Sequence, residues 1–462
     1  MTLLLIVSLV CFLLVGLSAG RSAGSREAFF VAGRRGTSPA IAGSLVATVV
    51  GGSATIGVAG LAYERGITAS WWTLVGAIGL ALLGAVFVGR VRAHVGVYTL
   101  PGLAGRLFGP RMRVVTALLV VVAWMGVVSG QIVAASRVLS VIGVGSPSAW
   151  MVLFTVVLVL YAVAGGQKAI IRTDVLQAIL IVVGVAMAVA YMRVTLGSPG
   201  ALAAALPRGS LDFPVSAAFG WSDLGSMLVL VGAVYLVGPD IYTRILSARD
   251  TRTARRATLS AAVLVIPVAF MVATLGIAAR YLAPGIHSEQ ALPWLVTHAL
   301  PPYAAALLLA GMVAALMSSA DSTLLGQAVI LADDVISRLL PLDEKHVVIL
   351  ARICTALLGL LALLLALSLR GVLDSLMFAY SIFTSGVVGP MLLGLLRGRS
   401  RIDGVSALAG MCVGGACGLA SAMPWWDVPF KSHLALIGLG LSIVVPLVIS
   451  RARKRSDSHS LP

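Results

Sequence analysis

Residues 311–334, GMVAALMSSADSTLLGQAVILADD, are apolar enough to cross a bilayer, yet they carry Ser318, Ser319, Asp321, Ser322 and Thr323 in one cluster. Hydrocarbon does not tolerate such a cluster facing lipid. Ionisable groups inside spans face a bundle interior and mark an ion or solute path. Ala315, Ser318, Ser319 and Ser322 follow i, i+3, i+4, i+7 spacing and so share one helix face. Carbonyl and hydroxyl oxygens on that face, with a carboxylate nearby, suit a small hard cation.

The rest of the chain has to supply the bundle. Of its 462 residues, 59% are hydrophobic and 11% charged, against about 25% charged in soluble domains. The apolar residues come in runs of membrane-crossing length. The expected class is an all-α polytopic membrane protein with about thirteen spans: 1–18, 38–62, 70–90, 113–143, 147–164, 171–192, 222–240, 257–281, 302–335, 345–369, 372–395, 402–422 and 432–451. A net charge of +16 on a soluble domain would suggest nucleic acid. Here the basic residues sit in short loops, so no nucleic-acid partner is expected and the positive-inside bias explains them.

Arg21, Arg26, Arg34, Arg35, Arg106, Arg113, Arg249, Arg338, Arg397 and Arg453 fall on one set of loops, and Arg65, Arg193, Arg208, Arg280 and Arg370 on the other. That places the N-terminus outside and the C-terminus in the cytoplasm of a cell's inner or plasma membrane. The first run lacks a basic n-region and reads as an uncleaved helix. Cys11, Cys354, Cys412 and Cys417 lie in apolar runs without metal-ligand spacing and read as small buried hydrophobes. Asp333 and Asp334 read as a solvated helix end. No constellation of His, Cys, Ser and carboxylate suggests catalysis, so no enzyme is expected.

Two spans carry breaks. Span 38–62 holds Gly51-Gly52 followed by Ser53 and Thr55, and span 222–240 holds Gly238-Pro239 followed by Asp240. The breaks open two consecutive sets of five spans, 38–192 and 222–395. Matching interruptions in corresponding helices point to an inverted-repeat transporter with a midplane site, where unwound carbonyls coordinate a cation and a half-helix end holds an anionic group. The expected organisation is an extra helix and loop at 1–37, the first repeat at 38–192, an outer loop at 193–221, the second repeat at 222–395, and two peripheral helices with a short tail at 396–462.

Four stretches now resemble the solute:sodium symporter family, which has the LeuT-type fold: residues 44–66 (SLVATVVGGSATIGVAGLAYERG), 161–177 (YAVAGGQKAIIRTDVLQ), 238–257 (GPDIYTRILSARDTRTARRA), and the Ala-x-x-Ser-Ser run of 315–319. The resemblance implies a sodium site made by the carbonyls of Ala47, Val50 and Ala315 and the hydroxyls of Ser318 and Ser319. It implies a second sodium or proton site at Asp174, Ser318, Asp321 and Ser322. Asp321 departs from the family pattern, which commonly has a hydroxyl there; it could bind Na⁺, carry a proton or pair with an internal Arg. For Asp174, a salt bridge with neighbouring Arg172 or Lys168 is the structural alternative. Gln131 by motif position should face the solute cavity, and Tyr242 matches an aromatic that the family uses as an inner gate. Arg137 is a candidate carboxylate anchor. Ser53, Thr55, Tyr235 and Asp240 complete the expected solute contacts, with Ser44 and Ser129 as further cavity hydroxyls.

The function implied is sodium-coupled symport of a small organic solute by alternating access. Na⁺ is the co-transported ion and the lipid bilayer the surroundings, and no obligate protein partner is evident. The lean is toward a carboxylated solute such as an amino acid or a monocarboxylate. The rivals are proton coupling through Asp174 or Asp321, and a transporter-like sensor acting with a separate signalling partner.

Overall fold

The computed structural model describes residue 14 and residues 25–459, apart from 95, 144, 198–205, 341, 369–370, 398–401 and 424–430. The expected first span, 1–18, and Cys11 therefore lie outside the described residues. The described chain is helical almost throughout, with isolated bridges in place of any extended strand. Among the described residues, ten helices are long and apolar enough to cross a membrane.

Ser318 and Ser319 lie on the helix Pro302–Ile330, the middle of the molecule. Its span is 89% buried over its most apolar window, whereas that of His433–Arg453 is 28% buried. A helix apolar all round and covered all round is a core helix, and the last span is peripheral. Pro302–Ile330 lies along the second half of Pro147–Thr195. Glycines let the two backbones approach: a Cβ at Gly184 would meet the Leu307 carbonyl at 2.7 Å, and one at Gly311 the Leu180 carbonyl at 2.9 Å. Small residues at such crossings allow close packing in membranes. The helices run antiparallel here, so a step down one is a step up the other. Six residues from Leu180 toward Asp174 therefore match seven from Gly311 toward Ser318.

Spans 147–164 and 171–192 are not separated by a loop. They form one helical run, Pro147–Thr195, that turns at Gly166 (φ 64°, ψ 179°). Positive φ favours glycine, and a Cβ there would also meet the Phe29 ring at 2.9 Å. Both expected breaks are present. Ser38–Val49 stops at Val50 (φ −90°, ψ 53°), and helical structure resumes at Ser53–Gly57 and Val58–Arg65. Val234–Val237 ends at Gly238 (ψ 127°), and Pro239–Ser247 starts anew. Pro239 lacks an N–H and suits the first position of the new helix.

The loops gather at two ends. At one, Arg113 bonds Asp334 (2.5 Å) and Asp333 (2.9 Å), Arg26 pairs with Asp333, and the Arg249 N–H reaches the Gly36 carbonyl at 3.0 Å. At the other, the Ile67 N–H donates to Ser210 (2.8 Å) and the Trp71 indole to the Pro214 carbonyl (2.8 Å). Asp333 and Asp334 are thus not a solvated helix end: both are buried. Arginines from the first turns of two distant helices, Arg26 and Arg113, fold over them, and Thr99 donates to Asp334 at 2.7 Å.

Candidate functional site

Below Gly51 the first broken helix still closes its ladder, with the Val50 N–H on the Val46 carbonyl at 2.9 Å. The Gly52 N–H instead donates to Gln131 Oε1 (2.8 Å), and the ladder resumes with the Thr55 N–H on the Gly51 carbonyl at 3.1 Å. A helix end leaves its last carbonyls without helical partners. One of them, that of Thr48, accepts the Ser319 hydroxyl at 2.9 Å. Ala47 and Val50 flank this point on the broken helix, and Ala315 lies one turn from Ser319. The glycine pair serves this approach as well as the break. A Cβ on Gly51 would collide with Ser319 Oγ, and one on Gly52 would meet Gln131 Oε1 at 2.8 Å.

Ser318 points elsewhere. Its hydroxyl donates to Asp174 Oδ1 at 2.5 Å. The other Asp174 oxygen takes the Ser44 hydroxyl and Arg244 Nη2, the latter at 3.0 Å. Arg244 Nε bonds Ser44 Oγ (2.8 Å), and Nη1 donates to the Asp240 carbonyl (3.0 Å). Side chains of four segments, Ser44, Asp174, Arg244 and Ser318, thus form one buried polar node. The partner of Asp174 is Arg244, from beyond the second break, and not Arg172 or Lys168.

Asp321 lies beside this node, fully buried. Neither of its carboxylate oxygens makes a close hydrogen bond, although the Tyr161 hydroxyl, itself bonded to Thr173, faces it. Ser322 returns its hydroxyl to the Ser318 carbonyl at 2.8 Å, the back-bond common for serine in helices.

Above the node lies a cavity of about 40 Å³ between the two breaks. Since one water needs about 10–15 Å³, this space has room for water but not for an organic solute. Ser53, Gln131, Tyr235 and Asp240 are among its lining residues. Thr48, Trp124, Ser319, Thr323 and Tyr380 line it too. Of these, Ser319 and Thr323 belong to the polar cluster of 311–334 and Thr48 sits three residues before the Gly51-Gly52 break; Trp124 and Tyr380 come from helices that carry no break.

Three expected contacts are not among its lining residues. Thr55 bonds back to the Gly51 carbonyl at 2.9 Å. Tyr242 is buried, and its hydroxyl crosses the second break to the Leu236 carbonyl at 2.9 Å. Arg137 pairs with Glu289 at 3.5 Å, and Glu289 also caps the Val372 N–H at 2.8 Å. Ser44 serves the node, and Ser129 is buried without a hydrogen-bond partner for its hydroxyl.

A buried helical bundle with two broken helices crossing a central polar site defines a membrane transporter of LeuT-type architecture. Solved structures agree on the fold. One titled "Substrate-bound outward-open state of a Na+-coupled sialic acid symporter reveals a novel Na+-site" superposes with a TM-score of 0.82 at 19% identity, covering 98% of this chain and 97% of that one. MhsT in complex with L-phenylalanine gives 0.57 at 17% identity, covering 90% and 98%. The model of the sodium:solute symporter family matches residues 29–414, and the chain belongs to that family.

Among its relatives, the sodium/pantothenate symporter of Escherichia coli (strain K12) is 26% identical over 98% of this chain and 97% of its own length. The high-affinity choline transporter 1 of Caenorhabditis elegans is 27% identical over 93% and 80%. The sodium/glucose cotransporter of Vibrio parahaemolyticus is 24% identical over 82% and 77%. The chain is accordingly an integral membrane symporter of the sodium-coupled class and not an enzyme.

Proposed function

We propose that the chain imports a small organic solute by alternating access, with Na⁺ bound between the Ala47–Val50 turn and the Ala315, Ser318 and Ser319 face. The observation that carries this is the Ser319 hydroxyl on the Thr48 carbonyl, because it joins the unwound turn to the central helix at the floor of the cavity. Na⁺ would tie the first broken helix to Pro302–Ile330 and steady the inner closure. The node of Ser44, Asp174, Arg244 and Ser318 is that closure, and opening toward the cytoplasm separates Arg244 from Asp174. The repeats 38–192 and 222–395 rock against each other, with the N-terminus outside and the tail inside. A ligand shifts such an equilibrium only by its differential affinity for the two states, so Na⁺ must raise solute affinity. In proteoliposomes, uptake should collapse when external Na⁺ is replaced by K⁺. Uptake unchanged by that replacement rejects the reading.

Asp321 favours a second coupled cation. With Asp174 it puts two carboxylates beside one guanidinium, and no cation bonds its oxygens. A second Na⁺ or a proton at Asp321 supplies the missing charge. Arg137 is already paired, which weakens the case for it as a carboxylate anchor. The positive end of the half-helix Pro239–Ser247 keeps that role open for a solute that also has a carboxylate.

A further inference from the structure

We propose that the solute carries a cationic nitrogen, a protonated amine or a quaternary ammonium, held by the Asp240 carboxylate and the rings of Trp124, Tyr235 and Tyr380. The inference rests on the transport reading above and names the substrate class for its cavity. Asp240 and all three aromatics line the space between the breaks, and no Lys, Arg or His is among the lining residues. The Asp240 carboxylate receives one side-chain hydrogen bond, from the neutral Trp124 indole at 3.3 Å. Arg244, one helical turn on, attracts the carboxylate through space but makes no bond to it: its Nη2 and Nε go to Asp174 and Ser44, and its Nη1 goes to the backbone of Asp240.

A carboxylate at that depth is disfavoured without a directly bonded cation, and Arg244 shares its charge with Asp174. The cavity is where such a cation has access, since part of the Asp240 surface stays uncovered. The aromatic faces complete the reasoning. Trp and Tyr rings attract ammonium groups through their quadrupoles, most strongly where water is excluded. The rings are braced for it: Trp124 packs edge-on against Phe383 (4.4 Å between centroids), and Tyr380 stacks with Trp72. Tyr235 lies against Gly76, where a Cβ would meet its ring at 2.7 Å. Monocarboxylates and sugars without an amine do not answer this chemistry, whereas amino acids and betaines do.

Asp240 also sits in the first turn of Pro239–Ser247, where any acidic residue complements the helix dipole. Asp240→Asn separates the two roles, because Asn can still hydrogen-bond the free N–H groups but carries no charge. The experiment is a thermal-shift series on the purified full chain in Na⁺ and in K⁺. The probes are choline, glycine betaine, proline and ethanolamine, against glucose, pantothenate, pyruvate and 3,3-dimethylbutan-1-ol, the uncharged carbon isostere of choline. The expected result is a sodium-dependent shift from at least one amine-bearing probe and none from the others. In Asp240→Asn that probe should bind about tenfold more weakly or worse, with the Na⁺-induced shift retained. The proposal is overturned by a hit from an uncharged or purely anionic probe, by an amine hit undiminished in Asp240→Asn, or by silence from every amine. An amine hit equally strong in K⁺ would instead sustain this proposal and count against sodium coupling.

Discussion

Neutralising Arg244 isolates the energetics of the node. The guanidinium is fully buried and bonds Asp174 (3.0 Å), the Asp240 carbonyl (3.0 Å) and Ser44 Oγ (2.8 Å). Arg244→Gln strands the Asp174 carboxylate with two hydroxyl donors and no cation, and Asp174→Asn strands the guanidinium. Breaking a buried pair from one side destabilises by about 3–5 kcal/mol. The double variant leaves the net charge of the node unchanged and puts two amides where the ions were. Its loss is that of ordinary hydrogen bonds, about 1–2 kcal/mol. Arg244→Gln/Asp174→Asn should therefore be more stable than either single variant. Thermal melting of the four purified proteins measures this, and a double variant whose loss matches the sum of the singles would refute the pairing.

Other consequences follow from the same geometry. Gly51→Ala pushes a methyl into Ser319 Oγ and should weaken Na⁺ activation of uptake by about tenfold, at about 1–3 kcal/mol of overpacking strain; titrating uptake against Na⁺ checks it. Asp321→Asn removes a buried carboxylate that no cation bonds and should lower the charge moved per solute by one, as read by reversal potentials in proteoliposomes; an unchanged ratio removes Asp321 from coupling. Glu289→Gln breaks the pair with Arg137, whose side chain is 34% exposed. For so hydrated a cation the loss should stay within about 1 kcal/mol, with solute affinity unchanged. A large affinity loss in that variant would return Arg137 to the solute site.

Most of the architecture could be read from the chain because membranes impose their geometry on composition. Apolar runs mark the membrane-length helices, ten among the described residues against about thirteen expected spans, and Gly51-Gly52 and Gly238-Pro239 mark the breaks. Both positions are forced by local chemistry, missing donors and missing side chains, which leaves a mark in the sequence. The Asp174–Arg244 pair left no such mark. Its members are 70 residues apart, and nearer cations, Lys168 and Arg172, offered an easier partner. Only the antiparallel register of two glycine-bearing helices brings Asp174 to Ser318. Asp333 and Asp334 differ from the sequence expectation for a related reason: a polar helix end looks solvated until arginines from remote helices cover it. The cavity was half legible, through the residues beside the breaks. Trp124, Thr323 and Tyr380 come from the middles of other helices, where an aromatic or a threonine is also ordinary packing.

The central claim is that an ion joins the first broken helix to the serine face of Pro302–Ile330. Ser318→Ala with Ser319→Ala tests it most directly. The hydroxyls are buried, and their loss removes two oxygens from the proposed sodium shell while leaving both helices in place. Uptake by the double variant, titrated against Na⁺ in proteoliposomes, should lose saturable sodium dependence across the range that activates the wild type. A double variant that retains the wild-type sodium half-saturation would contradict the account.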